Sequence, residues 1–117
     1  DIRKFKADKK CDRLVMIWAG STEVFMVAAP CHQSLAAFEK GLVASDPAIS
    51  SSMIYTYAAL KEGLPFGNAA PNLSAEVPAL QELAKIREAF IPVLIATFHV
   101  RVKYPEIPRL ADARLRR

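Results

Sequence analysis

Glycine is scarce in this chain of 117 residues: only Gly20, Gly41, Gly63 and Gly67 are present. No two stand close enough to form the Gly-rich turn that lets backbone amides close on a pyrophosphate, so that kind of phosphate cradle is absent. Cysteine is scarcer. Cys11 and Cys31 are too few for a disulfide framework. Cys31-His32 has no second Cys or His three or four residues away, so no metal site is expected and the thiols read as buried or incidental rather than catalytic. Long apolar runs are missing too. Leu14–Gly20 and Ala89–Phe98 fall short of the roughly 20 residues a membrane span requires, and no membrane partner is expected. The first residues, Asp-Ile-Arg-Lys-Phe-Lys, lack the apolar core and cleavage site of a signal peptide. A cytoplasmic location is expected.

What is present suits one globular domain: 52% of residues are hydrophobic and 24% charged, against the disordered pattern of low hydropathy and high charge. The net charge of +4 is concentrated at the ends. Residues 1–13 carry six Lys/Arg against three Asp and residues 101–117 carry six against two acids, leaving the span between acidic. Basic ends can grip phosphates, but here acids are interleaved and no aromatic spacing accompanies them. Solvated termini are expected rather than a nucleic-acid partner.

Leu14-Val15-Met16-Ile17-Trp18 is a continuous apolar run of strand length, which predicts a strand covered on both faces, as in a parallel sheet. It leads into Ala19-Gly20-Ser21-Thr22-Glu23, a turn with hydroxyls and a carboxylate, where ligands sit in open α/β sheets. Residues 34–44 predict a helix capped by Ser34, with Leu35, Phe38 and Leu42 as its apolar stripe and Ser45-Asp46-Pro47 ending it. A second helix, about 52–62, follows the caps of Ser50-Ser51-Ser52, faces Met53, Tyr57 and Leu60 inward, and stops at Gly63. An extended piece, Leu64–Gly67, precedes a loop of small and amide side chains, Asn68-Ala69-Ala70-Pro71-Asn72. A third helix is expected from Ser74, about 75–88, with Pro78 in its first turn and Val77, Leu80, Leu83 and Ala84 inward. Phe90–Val102 reads as a strand, and the tail from Pro105 as a loop. The order is α/β.

The residues also carry a family resemblance. LVMIWAGSTE, residues 14–23, resembles the strand and turn that myo-inositol-1-phosphate synthases write as an apolar run followed by Trp-Thr-Ala-Asn-Thr-Glu. Ile49-Ser50-Ser51-Ser52-Met53-Ile54-Tyr55 is similar to the family's Ile-Ser-Pro-Ser-Thr-Leu-Tyr. Glu62-Gly63-Leu64-Pro65-Phe66-Gly67-Asn68-Ala69-Ala70-Pro71-Asn72 is similar to its Glu-Gly-Ile-Pro-Phe-Ile-Asn-Gly-Ser-Pro-Gln-Asn. Three such motifs in order are more specific than any one alone. The resemblance spans roughly residues 11–93.

It implies part of a Rossmann-like parallel sheet with flanking helices, an incomplete domain of a cytosolic, NAD-dependent homotetrameric isomerase serving inositol and phospholipid biosynthesis. That enzyme converts glucose 6-phosphate to 1D-myo-inositol 3-phosphate. NAD oxidises C5, an enolate closes on the C1 aldehyde, and the hydride is returned. Ser21 and Thr22 stand where the family's Asn-Thr lines the cofactor crevice, and Asn68 matches the asparagine of its second crevice loop. Two readings stay open at Asn68, a ligand-facing amide or a cap for backbone groups in a buried turn. Thr22 is open in the same way, to cofactor or to turn capping.

The chain departs from the pattern after Ile91-Pro92-Val93, where the family's lysine-bearing stretch is replaced by Leu94-Ile95-Ala96-Thr97-Phe98-His99-Val100. Residues 1–93 therefore read as a fragment of the NAD-binding domain and 94–117 as a divergent strand and basic tail. No catalytic residue is assigned, His99 reads as structural, and turnover by the chain alone is not expected. The alternative is a small, non-catalytic α/β binding or interaction module. A partial sheet should also leave strand edges and apolar surface exposed and favour self-association.

Overall fold

The computed structural model describes residues 1–89 except Thr22 and Pro71. The strand expected at Phe90–Val102 and the tail lie outside the described residues. The elements are α1 (Ile2–Asp8), β1 (Met16–Trp18), a 3-10 turn (Pro30–His32), α2 (Leu35–Ala44), α3 (Ser51–Lys61), β2 (Phe66–Asn68) and α4 (Pro78–Ile86).

The strands β1 and β2 pair in parallel, with Met16 opposite Phe66, Ile17 opposite Gly67 and Trp18 opposite Asn68. The ladder is closed by Met16 N–H donating to Pro65 O at 3.0 Å and Ala69 N–H donating to Trp18 O at 2.8 Å. A parallel pair needs a crossover long enough to return to the starting end, and α2 and α3 supply it. The fold is an incomplete α/β sheet with helices.

Local chemistry explains the helices. Ser34 and Ser50 sit in extended backbone at their N-caps and accept from Ala37 N–H and Met53 N–H. Gly63 takes φ +69° just past α3, where a side chain is strained. On α3, Met53 and Leu60 are fully buried, joining Phe38 of α2 and Leu80 and Leu83 of α4 in the main core. Tyr57 and Leu42 pack at its margin. A second cluster, Ala59, Leu64, Phe66 and Ala75, lies beneath Leu14, Met16 and Trp18 and joins the helices to the sheet.

Two expectations are revised, the covering of β1 and the start of α4. β1 is covered on one face only: Val15 and Ile17 are 62% and 65% exposed, because no described element packs against their side. The loop beyond is apolar and open as well, with Val24 and Phe25 more than 80% exposed. α4 begins at Pro78, not 75, and its N-cap is Val77 with no side-chain cap. Ser74 is used elsewhere, as shown below. Finally, the basic N-terminus forms α1, a helix with no buried residue, tied to Glu62 by Arg3.

Candidate functional site

Parallel pairing delivers the chain leaving β1 and the chain leaving β2 to the same edge of the sheet. The turn after Trp18 and the loop after Asn68 therefore meet, although about fifty residues separate them in sequence. Open α/β sheets hold ligands beyond the carboxyl ends of their parallel strands.

Asn68 is 1% exposed and its amide is committed inside the protein. Nδ2 donates to Asn72 O at 3.1 Å and to Ser74 Oγ at 2.9 Å, while Oδ1 accepts from Ala70 N–H at 3.0 Å. The backbone carbonyl and N–H fix which end of the amide is which. Asn68 thus sets the shape of the 68–74 loop. Among the sequence-derived candidates, Ser21 is exposed at the turn and Thr22 lies outside the described residues.

Asn72 carries the connection across. It is buried, its Oδ1 accepts from Glu23 N–H at 2.9 Å, and its Nδ2 donates to Ser21 O at 3.4 Å. Glu23 then reaches α3: Oε1 accepts from Ser52 N–H at 2.9 Å and Oε2 from the Ser52 hydroxyl. Ser50 Oγ lies 3.0 Å from Ser52 Oγ, extending the chain of hydroxyls. A carboxylate at the second residue of a helix satisfies an orphan N–H and complements the helix dipole. One polar network therefore runs from β2 through both crevice loops to α3.

Glu23, Ser52 and Asn72 are site residues that sequence reasoning misses. A signal for them exists, because each is a polar residue inside one of the three motifs. Taken locally, however, the serines read as caps alone and Asn72 as plain loop. The same network closes α3 to an anion. Glu82 likewise accepts from Leu35 N–H at 2.8 Å at the start of α2, so carboxylates fill both helix N-termini. Among the described residues of the turn, Ala19, Gly20 and Ser21 are exposed, and all three are small. Gly20 is required there, since a Cβ would lie 2.6 Å from the Trp18 ring. That ring packs on Tyr55 with centroids 5.2 Å apart, and its N–H is buried with no acceptor among the described residues.

The Cys31-His32 pair lies apart from this edge, in the core. His32 is fully buried, Nδ1 accepts from Ala29 N–H at 3.0 Å, and Nε2 donates to Ala48 O at 2.9 Å. Acceptance at Nδ1 places the proton on Nε2 and leaves no lone pair for a metal. Burial, with Asp46 adding to it, pushes the Cys31 thiol above its ordinary range, away from nucleophilic thiolate.

Two parallel strands flanked by helices, with their two loops meeting at the carboxyl edge, are part of a Rossmann-like α/β sheet. Residues 1–93 match the family model described as myo-inositol-1-phosphate synthase, an NAD-binding family, and the chain belongs to that family. It is 46% identical over 86 residues to inositol-3-phosphate synthase 1 of Bacteroides thetaiotaomicron, covering 73% of this chain and 20% of that protein. Against inositol-3-phosphate synthase 1 of Oryza sativa subsp. japonica it is 36% identical over 85 residues, covering 72% and 16%. The crystal structure of inositol-3-phosphate synthase from Caenorhabditis elegans superposes with a TM-score of 0.72 at 26% identity, covering 78% of this chain and 18% of that one. The chain thus spans a fifth or less of the length of these relatives.

Proposed function

We propose that this chain supplies one wall of the NAD crevice of an inositol-3-phosphate synthase, which converts glucose 6-phosphate to 1D-myo-inositol 3-phosphate. The observation that carries the reading is the convergence of all three family motifs at one sheet edge through Asn68, Asn72, Glu23 and Ser52. Bound NAD would accept a hydride from the sugar and return it. The chain's own part is to hold and orient. Ser21 and Thr22 offer hydroxyls to the dinucleotide, and Asn68 acts by fixing the loop whose small residues let backbone approach it.

The residues fit such a wall. They are short and polar, and the one carboxylate in the turn is turned inward onto α3. They do not supply a pyrophosphate cradle, since the helix N-termini of α2 and α3 are capped from within. In this reading residues 1–93 belong to the NAD-binding domain, 94–117 diverge from it, and the cradle and catalytic lysines come from other parts of the enzyme. A cytoplasmic homotetramer is part of the same proposal. Among the described residues no helix is long and apolar enough to cross a membrane.

A chimera tests it. The matching stretch of the Bacteroides relative is replaced by this chain's residues, and inositol phosphate formation from glucose 6-phosphate is assayed. Retained NAD-dependent turnover, lowered by Ser21→Ala or Thr22→Ala, is expected. A folded chimera that binds no NAD sinks the proposal.

A further inference from the structure

We infer that Glu23 is a positioning residue, which holds the strand-end turn at residues 19–21 in register with α3 and with the loop after β2. The inference rests on the crevice reading above and adds a role to a residue outside the nucleotide contacts.

Three observations carry it. First, the Glu23 carboxylate makes two hydrogen bonds to a single residue, Ser52, through N–H and hydroxyl, which fixes both its distance and its orientation. Second, Ser52 is fully buried and is itself anchored, since its carbonyl accepts from the Thr56 hydroxyl at 2.7 Å one turn along α3. The anchor point is therefore rigid. Third, the backbone N–H of the same Glu23 donates to Asn72, whose Nδ2 returns to Ser21 O. The turn is gripped at both sides of its centre, by a side chain toward α3 and by backbone toward the β2 loop.

Residues 19–29 contain no helix or strand among the described residues, so no ladder holds the turn in place. Gly20 removes any side chain that could pack there, and its approach to the Trp18 ring demands a defined backbone position. Without the carboxylate, the turn would keep only the Asn72 contacts. Its Ser21 hydroxyl would then sample many positions, and a ligand would have to order it on binding.

The test reads amide hydrogen exchange at residues 23 and 52 of the full chain, whose N–H groups make the hydrogen bonds in question, and NAD titration of the chimera, which carries the rest of the nucleotide site. Glu23→Ala is expected to speed exchange at these amides and to weaken NAD binding about tenfold or more, the scale of losing charge-assisted hydrogen bonds. Glu23→Gln should rescue most of this, because an amide oxygen still accepts from Ser52 N–H. Ser52→Ala, which removes only the hydroxyl, guards against a Glu23→Ala chain that does not fold and should give an intermediate effect. Gly63→Ala is the control for general destabilisation and should leave both readouts at the turn unchanged. Unchanged exchange at 23 and 52 in Glu23→Ala, or an equal rise in Gly63→Ala, overturns the inference. So does a loosened turn with unchanged NAD affinity. If the turn loosens but a folded chimera with Glu23 unaltered binds no NAD, Glu23 keeps its positioning role and the cofactor reading is what fails.

Discussion

Trp18 and Asn68 are register partners at the carboxyl ends of two parallel strands, and the turn after the one meets the loop after the other at a single edge. An antiparallel pair would send the two segments to opposite ends. The pairing thus joins the first and third motifs before any side chain acts. The second motif, at the start of α3, is brought to the same edge by Glu23. Topology does the gross placement, and a few buried polar contacts fix the detail.

Asn68 is where that detail is most costly to disturb. Asn68→Ala leaves Ala70 N–H and Asn72 O without their partners in a buried loop. A loss of about 2–4 kcal/mol in unfolding free energy is expected. Asn68→Asp should be no milder, because a carboxylate keeps the bond from Ala70 but cannot donate to Asn72 O or Ser74 Oγ. Urea unfolding with an unchanged m-value checks both. A loss below about 1 kcal/mol for Asn68→Ala would mean that the loop is held by something else.

Backbone conformation at the helix ends gives a second prediction, with signs that run both ways. Ser45 and Glu88 follow α2 and α4 at φ 53° and 50°, in the left-handed region that glycine adopts without penalty. Gly63 occupies the matching place after α3, and a Cβ there would meet nothing within 4 Å. Ser45→Gly and Glu88→Gly should therefore each stabilise, and Gly63→Ala destabilise, by about 1 kcal/mol. Because Gly63 has free space around it, the cost is conformational alone. Thermal melts of the three variants check the signs, and a stabilised Gly63→Ala would contradict the argument.

The same positions show why parts of the fold are legible in the sequence and others are not. Ser34, Ser50 and Gly63 are local signals, read from one turn of chain, and α2 and α3 start and stop where those signals stand. Leu80, Leu83 and Ala84 lie at helical spacing and are buried as that spacing requires. The start of α4 is misleading in sequence because Ser74 has the chemistry of a cap, yet its hydroxyl accepts from Asn68 instead. α1 carries only Ile2 and Phe5 as apolar residues at helical spacing, and the partner of its Arg3, Glu62, lies fifty-nine residues away in sequence. The covering of β1 is overstated by its composition, because an apolar run tells only that both faces can be buried, not what buries them. At the site, Asn68 is recognisable as a residue that matters, but its engagement with Asn72 and Ser74 is tertiary and invisible in any local pattern.

The contact between α2 and α3 gives a prediction in pH. Tyr57 O–H donates to Glu39 Oε1 at 2.7 Å, and Lys61 Nζ donates to the same oxygen at 2.9 Å and to Tyr57 Oη at 3.0 Å. The Tyr57 hydrogen bond first, then Lys61, holds the Glu39 carboxyl below its ordinary range. The same bonds, Tyr57 first and Glu39 next, hold the Lys61 ammonium above its own. For Glu39 the folded value is depressed, so its contribution is present above the unfolded carboxylate range and is lost as pH falls through the folded value. For Lys61 the folded value is raised, so its contribution is complete below the unfolded ammonium range and is lost as pH climbs through the folded value. The bridge therefore works between those limits and fails outside either. Glu39→Gln should melt lower than the unaltered chain at neutral pH, by a small margin because the groups are solvent-exposed, and the difference should close as pH falls below the ordinary carboxylate range and Glu39 itself protonates. Added salt should shrink the margin at neutral pH. A margin that holds constant down the acid range would show that the substitution costs packing rather than charge, and that the cluster contributes nothing as a bridge.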